Sequence, residues 1–214
     1  MSSLRFKELT KIPGVVGAID GTHVKIPAPP EDEYLFVNRK SYHSLNVGIA
    51  SDFNLKIIWL CVKYGGSAHD SRVFRESTLH SQLQSGAVKG VLLGDSAYRA
   101  ESFLLKPILN PKNNHEKRYT DSLCRGRVKV ENCIGCLKRQ FHSLHGELRY
   151  RPQKAALLIA AAVAFRNAAI DLKEPPFFDD IPSEDEDDDP SDDKEDAATI
   201  SGQTFMNYVV SKYF

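Results

Sequence analysis

Val91-Leu92-Leu93 is a short run without a polar position, closed by Gly94-Asp95. Successive side chains of a strand point to opposite faces, so such a run needs apolar cover on both sides. Helices on both faces of a sheet supply that cover, and the segment predicts an α/β layer fold. Val15, Val16 and Ile19 follow Pro13-Gly14 and lead into Asp20-Gly21-Thr22, which reads as a second buried strand whose last residue is an aspartate. Pro27, Pro29 and Pro30 then force a loop. Residues 45–50 and 55–64 are β-rich runs joined by Ser51-Asp52-Phe53-Asn54, a hairpin pattern. From Asp70 to Gln84 the spacing is helical, with Val73, Leu79 and Leu83 apolar, Asp70 or Ser71 as N-cap and Gly86 as stop. Residues 108–123 are polar, are broken by Pro111 and read as a mobile loop. Two helices follow. Val130, Ile134, Leu137 and Phe141 make one apolar stripe, and residues 153–170, alanine-rich and apolar on most sides, predict a well-buried helix. The order strand, hairpin, helix, strand, helix, helix implies a mixed sheet flanked by helices.

Charge divides the chain. Lysine plus arginine equals aspartate plus glutamate, 28 each, yet residues 173–214 hold thirteen acids against three lysines. The C-terminal stretch is therefore at −10 and residues 1–172 at +10. A basic body points to an anionic partner, nucleic acid first. The composition predicts one domain over 1–172 and a disordered acidic tail over 173–214, ending in a frayed terminus at Phe205, Tyr208, Val209 and Tyr213. One reading of the tail is an intramolecular counter-ion competing with nucleic acid for the body; an inert solvated tail is the plainer one. The longest uninterrupted apolar run, Ala155 to Phe165, has eleven residues, short for a bilayer span, and no membrane role is expected. MSSLRFKELT lacks the apolar segment of a secretion signal. Four cysteines (61, 124, 133, 136) make no disulfide framework and fit a reducing compartment.

Asp20 and Asp95 each follow a buried apolar run, at the sheet edge where α/β folds place their sites. Capping explains many such aspartates singly; the pair is a stronger signal. Glu131 lies beside the apolar stripe of its helix, aligned with Arg127 at i−4 and Lys138 at i+7, with 35 residues between it and Asp95. Three carboxylates meeting in a dry cleft raise one another's pKa, and a hard divalent cation relieves the repulsion. An all-oxygen set suits Mg²⁺ or Mn²⁺, and paired ions can serve both the entering and leaving oxygens of phosphoryl transfer.

The blocks IPGVVGAIDGTHVKIP, NRKSYHSLNV, GSAHDSRVF, LLGDSAY and RGRVKVENCIGCLKRQF resemble, in order, those of PIF/Harbinger transposases and the nucleases derived from them. The resemblance covers roughly residues 5–170. It implies an RNase H-like fold and a metal-dependent DNA nuclease with a DDE triad falling on Asp20, Asp95 and Glu131. It makes Asp70 a candidate accessory metal ligand, although a helix N-cap is the preferred reading of that residue. It further implies a nuclear location, with the cytoplasm as a second compartment, and a separate Myb/SANT-like partner for DNA binding and import. Family members carry a helix-turn-helix-like region ahead of the first aspartate block; about a dozen residues precede it here. The sequence reads accordingly as a catalytic core, whether fragment, alternative product or domesticated form.

Arg125, Arg127, Lys129, Lys138, Arg139, Arg149, Arg151 and Lys154 flank the third carboxylate and are candidate phosphate contacts, with Arg39 and Lys40 as weaker additions. A solvated charged face is the bland alternative. Cys133-x-x-Cys136 with Cys124, His142 and His145 matches no zinc-finger spacing and reads as helix-packing thiols and surface histidines. Ala18-Ile19-Asp20-Gly21-Thr22 also resembles the Asp-x-Asp-Gly-Thr of haloacid dehalogenase phosphatases, but an alanine stands where their nucleophile belongs. The remaining rival is a catalytically silent transposase core serving as a DNA-binding or protein-interaction module.

Overall fold

The computed structural model describes residues 2–175 and 198–214. One five-stranded mixed sheet organises them: β1 (Val15–Lys25), β2 (Ser44–Ser51), β3 (Ile57–Gly65), β4 (Val91–Leu93) and β5 (Leu104–Leu105), ordered β3-β2-β1-β4-β5. β1, β2 and β3 pair antiparallel, and β4 and β5 add parallel to β1. This is the RNase H-like arrangement, flanked by helices as expected. Val91 and Leu93 enter one apolar cluster and Leu92 the other, so the run does bury both of its faces.

On one face lie α1 (Ser2–Thr10), α4 (Asn114–Gln140), α5 (Pro152–Asp171) and α6 (Ile200–Tyr213); α2 (Asp70–Arg75) and α3 (Thr78–Gln84) lie on the other. Phe6, Tyr119, Leu123, Val130 and Ile159 are sealed in the larger cluster, and Phe74, Leu83 and Tyr98 in the smaller. The expected hairpin forms, and its turn is fixed by the Asp52 carboxylate, which accepts from the amides of Asn54 and Lys56.

Several expectations are corrected. β1 does not end at Asp20 but runs on to Lys25, because β2 continues alongside it from Ile49 to Ser44. The helix expected over 70–84 is two helices, since Ser77 caps a new start by accepting from the His80 amide. The loop expected over 108–123 is mostly the first turns of α4. Asn113 accepts from the Glu116 amide while Glu116 reaches back to the Lys112 amide, and Tyr119 and Leu123 are buried. The expectation of disorder fails for residues 198–214: Thr199 caps α6, and Met206 and Val209 enter the core. The acidic stretch 176–197 lies outside the described residues. Finally, α5 buries only its inner side: Leu157 is 71% and Phe165 67% exposed. It is long and apolar enough to cross a membrane by length and composition, with mean hydropathy 1.3, more than the eleven-residue run suggests.

Candidate active site

β4 stops at Leu93, opposite Ala18 of β1, and Gly94-Asp95 leaves the sheet there. β1 carries on past that point, so Asp20 has Ile49 of β2 on one side and no β4 partner on the other. The two aspartates therefore arrive together: one where a strand ends, the other where its neighbour loses that strand. The Asp20 carboxylate accepts from the Gly21 amide at 2.9 Å, and Asp95 from the Ala97 amide at 3.0 Å.

Asp70 joins them from the opposite layer. His69, not Asp70, is the N-cap residue of α2, and the Asp70 carboxylate instead accepts from Asn46 Nδ2 at 2.6 Å. Asn46 is itself buried on β2 and also donates to the Ala68 carbonyl. Gly21 makes room for this approach, since a Cβ on Gly21 would fall on the Asp70 carboxyl group.

The electrostatics record the crowding. Burial pushes the Asp20 carboxyl up to about 8; Arg127 opposes the shift, and Asp95 and Asp70 add to it. Asp95 is raised by burial and by Asp70, again against Arg127. Asp70 is raised by burial, with the Asn46 hydrogen bond opposing. Beneath them the fully buried Tyr98 hydroxyl is pushed well above its usual range by burial and by all three aspartates.

Glu131 projects from α4 on the far side of Arg127. One guanidinium nitrogen lies 3.8 Å from Asp20 Oδ2 and 3.4 Å from Glu131 Oε1, so those two oxygens are within about 7 Å of each other. Two oxygens that share one ion at ~2.0–2.6 Å lie at most about 5 Å apart, so Glu131 and Asp20 face each other across Arg127 at slightly more than that reach. Glu131 is the most accessible of the pairings, its side chain 44% exposed against 19% for Asp20. Among the described residues no three acidic, histidine or cysteine side chains stand close enough to ligate one ion as they are. The donor set nevertheless fits a hard dication: half-buried carboxylates in mutual repulsion, with Arg127 compensating Asp20 and Asp95 and Arg39 compensating Asp70.

Of the expected phosphate contacts, Arg127 sits inside the site. Lys138 approaches the mouth, where with Arg39 and Lys40 it adds to burial in holding His23 near 4, hence neutral. Arg39 also bonds His69 Nδ1 at 2.6 Å, beside Asp70. Arg149 and Arg151 follow the segment whose Glu147 bridges Lys25 at the end of β1. Lys129 lies elsewhere, 4.3 Å over the Phe53 ring. Arg125 bonds Ser122, and Arg139 bonds Cys136 Sγ on α4 itself. Cys133 and Cys136 are buried thiols on α4 and Cys61 is buried on β3. Sequence reasoning missed Asn46, Tyr98 and the buried Lys106, which donates to the Ser96 carbonyl next to Asp95 at 3.4 Å. Only Arg127 carried a signal, its i−4 spacing from Glu131.

Comparison with known proteins bears on this arrangement. Residues 19–167 match the family model described as DDE superfamily endonuclease. The chain belongs to that family. It is Harbinger-like within it: it is 33% identical over 170 residues to the rat (Rattus norvegicus) protein named "Putative nuclease HARBI1". Identity to the proteins of that name is 34% in Mus musculus and 32% in Homo sapiens, also over 170 residues. Each match covers 78% of this chain and 49% of the relative, so the chain spans about half the length of the curated relatives it matches. No solved structure matches the chain.

Proposed function

We infer that the chain is the catalytic domain of a divalent-metal-dependent DNA endonuclease of Harbinger origin, hydrolysing phosphodiester bonds by a DDE two-metal mechanism. Asp20 and Asp95 would hold the ions, Glu131 would complete the coordination of one, and Asp70 would be an accessory ligand. Bound there, Mg²⁺ or Mn²⁺ would supply Lewis-acid chemistry, activating the attacking water and neutralising the leaving oxygen. The chain's own contribution is positional: strand β1 and the end of β4 fix two carboxylates, and α4 offers the third. Arg127 and Lys138, with Arg39 and Lys40 nearby and Arg149 and Arg151 farther out beside the end of β1, would hold a polyanionic backbone against that point. A Myb/SANT-like partner would supply sequence recognition and nuclear import.

The observation that carries this reading is the burial of Asp20 beside Asp95 and Asp70, which lifts its carboxyl to about 8. Three largely desolvated acids, two of them opposed by Arg127 and the third by Arg39, serve no packing purpose that apolar residues would not serve better. Mn²⁺ calorimetry followed by a plasmid-nicking assay tests it. Nicking and Mn²⁺ binding that are both lost in Asp95→Asn support the nuclease; metal binding without cleavage in the native chain would favour the silent DNA-binding or protein-interaction module.

A further inference from the structure

The outer face of α5 contradicts the rule that an exposed helix face is polar. The buried residues Ala155, Ile159, Ala162, Val163 and Arg166 define the inner side. Directly opposite, at helical spacing, stand Leu157, Ala161, Ala164, Phe165, Ala168 and Leu172, all exposed. Leu157, Phe165 and Leu172 are 71%, 67% and 74% exposed. Between Lys154 and Asp171 the only charged residue is the buried Arg166. From Leu157 to Leu172 the stripe runs about 22 Å along the helix. It stands at the upper end of what monomers ordinarily expose, and among the described residues nothing covers it.

The order of residues in the stripe is its second property. It is nearly palindromic about the point between Ala164 and Phe165. A second helix laid antiparallel about a two-fold axis there sets Leu157 against Leu172, Ala161 against Ala168 and Phe165 against Ala164. Large meets small at the axis, the alanines allow close approach of the backbones, and leucines close both ends. Charge follows the same symmetry. Lys154, exposed at the start of α5, meets the exposed Glu174 and the C-terminal carbonyls of the opposing helix. The stripe and its leucine neighbours offer about 600 Å² per copy, or about 1,200 Å² for the pair, the lower end of stable interfaces.

We propose that the outer face of α5 is a homodimer interface, its occupant the α5 helix of a second copy of this chain packed antiparallel about residues 164–165. The α4 helix stands between α5 and the carboxylates, so both sites stay open in the pair.

Light scattering and sedimentation equilibrium of the full 214-residue chain at micromolar concentration test this. The expected mass is twice the 23.9 kDa of one chain. Phe165→Glu buries a charge at the axis and should weaken association by about 100-fold or more while the single chain keeps its native circular dichroism, the residue being exposed there. In a Cys124→Ser background, Ala164→Cys should cross-link to itself under mild oxidation, whereas cysteine at Gln153, away from the axis, should not. A native chain that stays monomeric overturns the proposal, whether residues 176–197 or a lipid surface then prove to cover the face. So does a dimer indifferent to Phe165→Glu.

Discussion

Arg127 touches both the strand carboxylate and the helix carboxylate, and removing it should strengthen metal binding. With Asp20 near 8, loading the site around neutral pH exchanges a proton for a dication. The local charge rises by one unit, and Arg127 opposes the exchange by its interaction with that unit. At the 3.8 Å that separates it from Asp20, and at an effective dielectric of about 20, that interaction is about 4 kcal/mol. Partial solvent access and the guanidinium's freedom to swing aside reduce it to about 2 kcal/mol. Arg127→Gln should accordingly bind Mn²⁺ about 30-fold more tightly than the native chain in the absence of DNA. Calorimetry near neutral pH in two buffers of different ionisation enthalpy measures both the affinity and the proton released. Nicking should move the other way, falling because a phosphate contact is lost while the metal is held more firmly. If Arg127→Gln binds Mn²⁺ no better than the native chain while Asp95→Asn abolishes binding, the guanidinium is not competing with the cation and the reasoning fails.

The same site predicts a pH dependence. A carboxyl raised from 3.8 to about 8 stabilises the fold fully below about pH 4 and progressively less as pH rises to 8. The metal-free melting temperature should thus fall through that window, Asp20→Asn should lack this component, and Mn²⁺ should offset the loss at the alkaline end. Gly21→Ala places a methyl on the Asp70 carboxyl; we expect a loss of about 1–3 kcal/mol in denaturant melts and displacement of Asp70, read as weaker Mn²⁺ binding. Met206→Ala should cost about 2–5 kcal/mol because α6 is part of the core; an unchanged melting temperature would mean that the helix is not docked in solution. Cutting the chain after Leu172 would remove α6 with the acids, so the counter-ion idea for the acidic stretch is better tested by neutralising residues 184–189. Tighter DNA binding at low salt is the outcome that supports that idea, and an unchanged affinity ends it.

The strands were legible because their signals are local. A continuous apolar triplet and a Ser-Asp-Phe-Asn turn have few other uses, and Asp95 was correctly read at the end of the first. Asp20 was read on the right strand at the wrong place. Nothing in Gly21-Thr22-His23 announces a strand; it is held by β2, whose pairing is a tertiary fact. The opening of α4 was missed because Pro111 and the polar run outweighed a signal that was present, the reciprocal Asn113–Glu116 cap. The outer face of α5 shows the limit of composition: an alanine-rich apolar helix declares that it wants cover on every side, but not which side the chain itself provides. Asp70 was misread for a related reason. An aspartate ahead of a helix is ordinarily a cap, and only the buried Asn46 on a strand 24 residues away reveals that it is turned elsewhere.

Arg127 explains how such a crowd of acids can fold. Desolvating three carboxylates would oppose folding unless protons or a counter-charge accompany them. The chain uses both: Asp20 retains its proton up to about pH 8, and the guanidinium, only 18% exposed, lies between the strand acids and Glu131. Glu131 is then kept apart from Asp20 by the same group that compensates Asp20. Gathering the three acids into one coordination sphere requires Arg127 to leave, and a polyanionic backbone at the mouth is the natural place for it to go. On this argument charge balance by Arg127 and close approach of Glu131 to Asp20 exclude each other, so a bound polyanion that draws the guanidinium away should also bring the two carboxylates together.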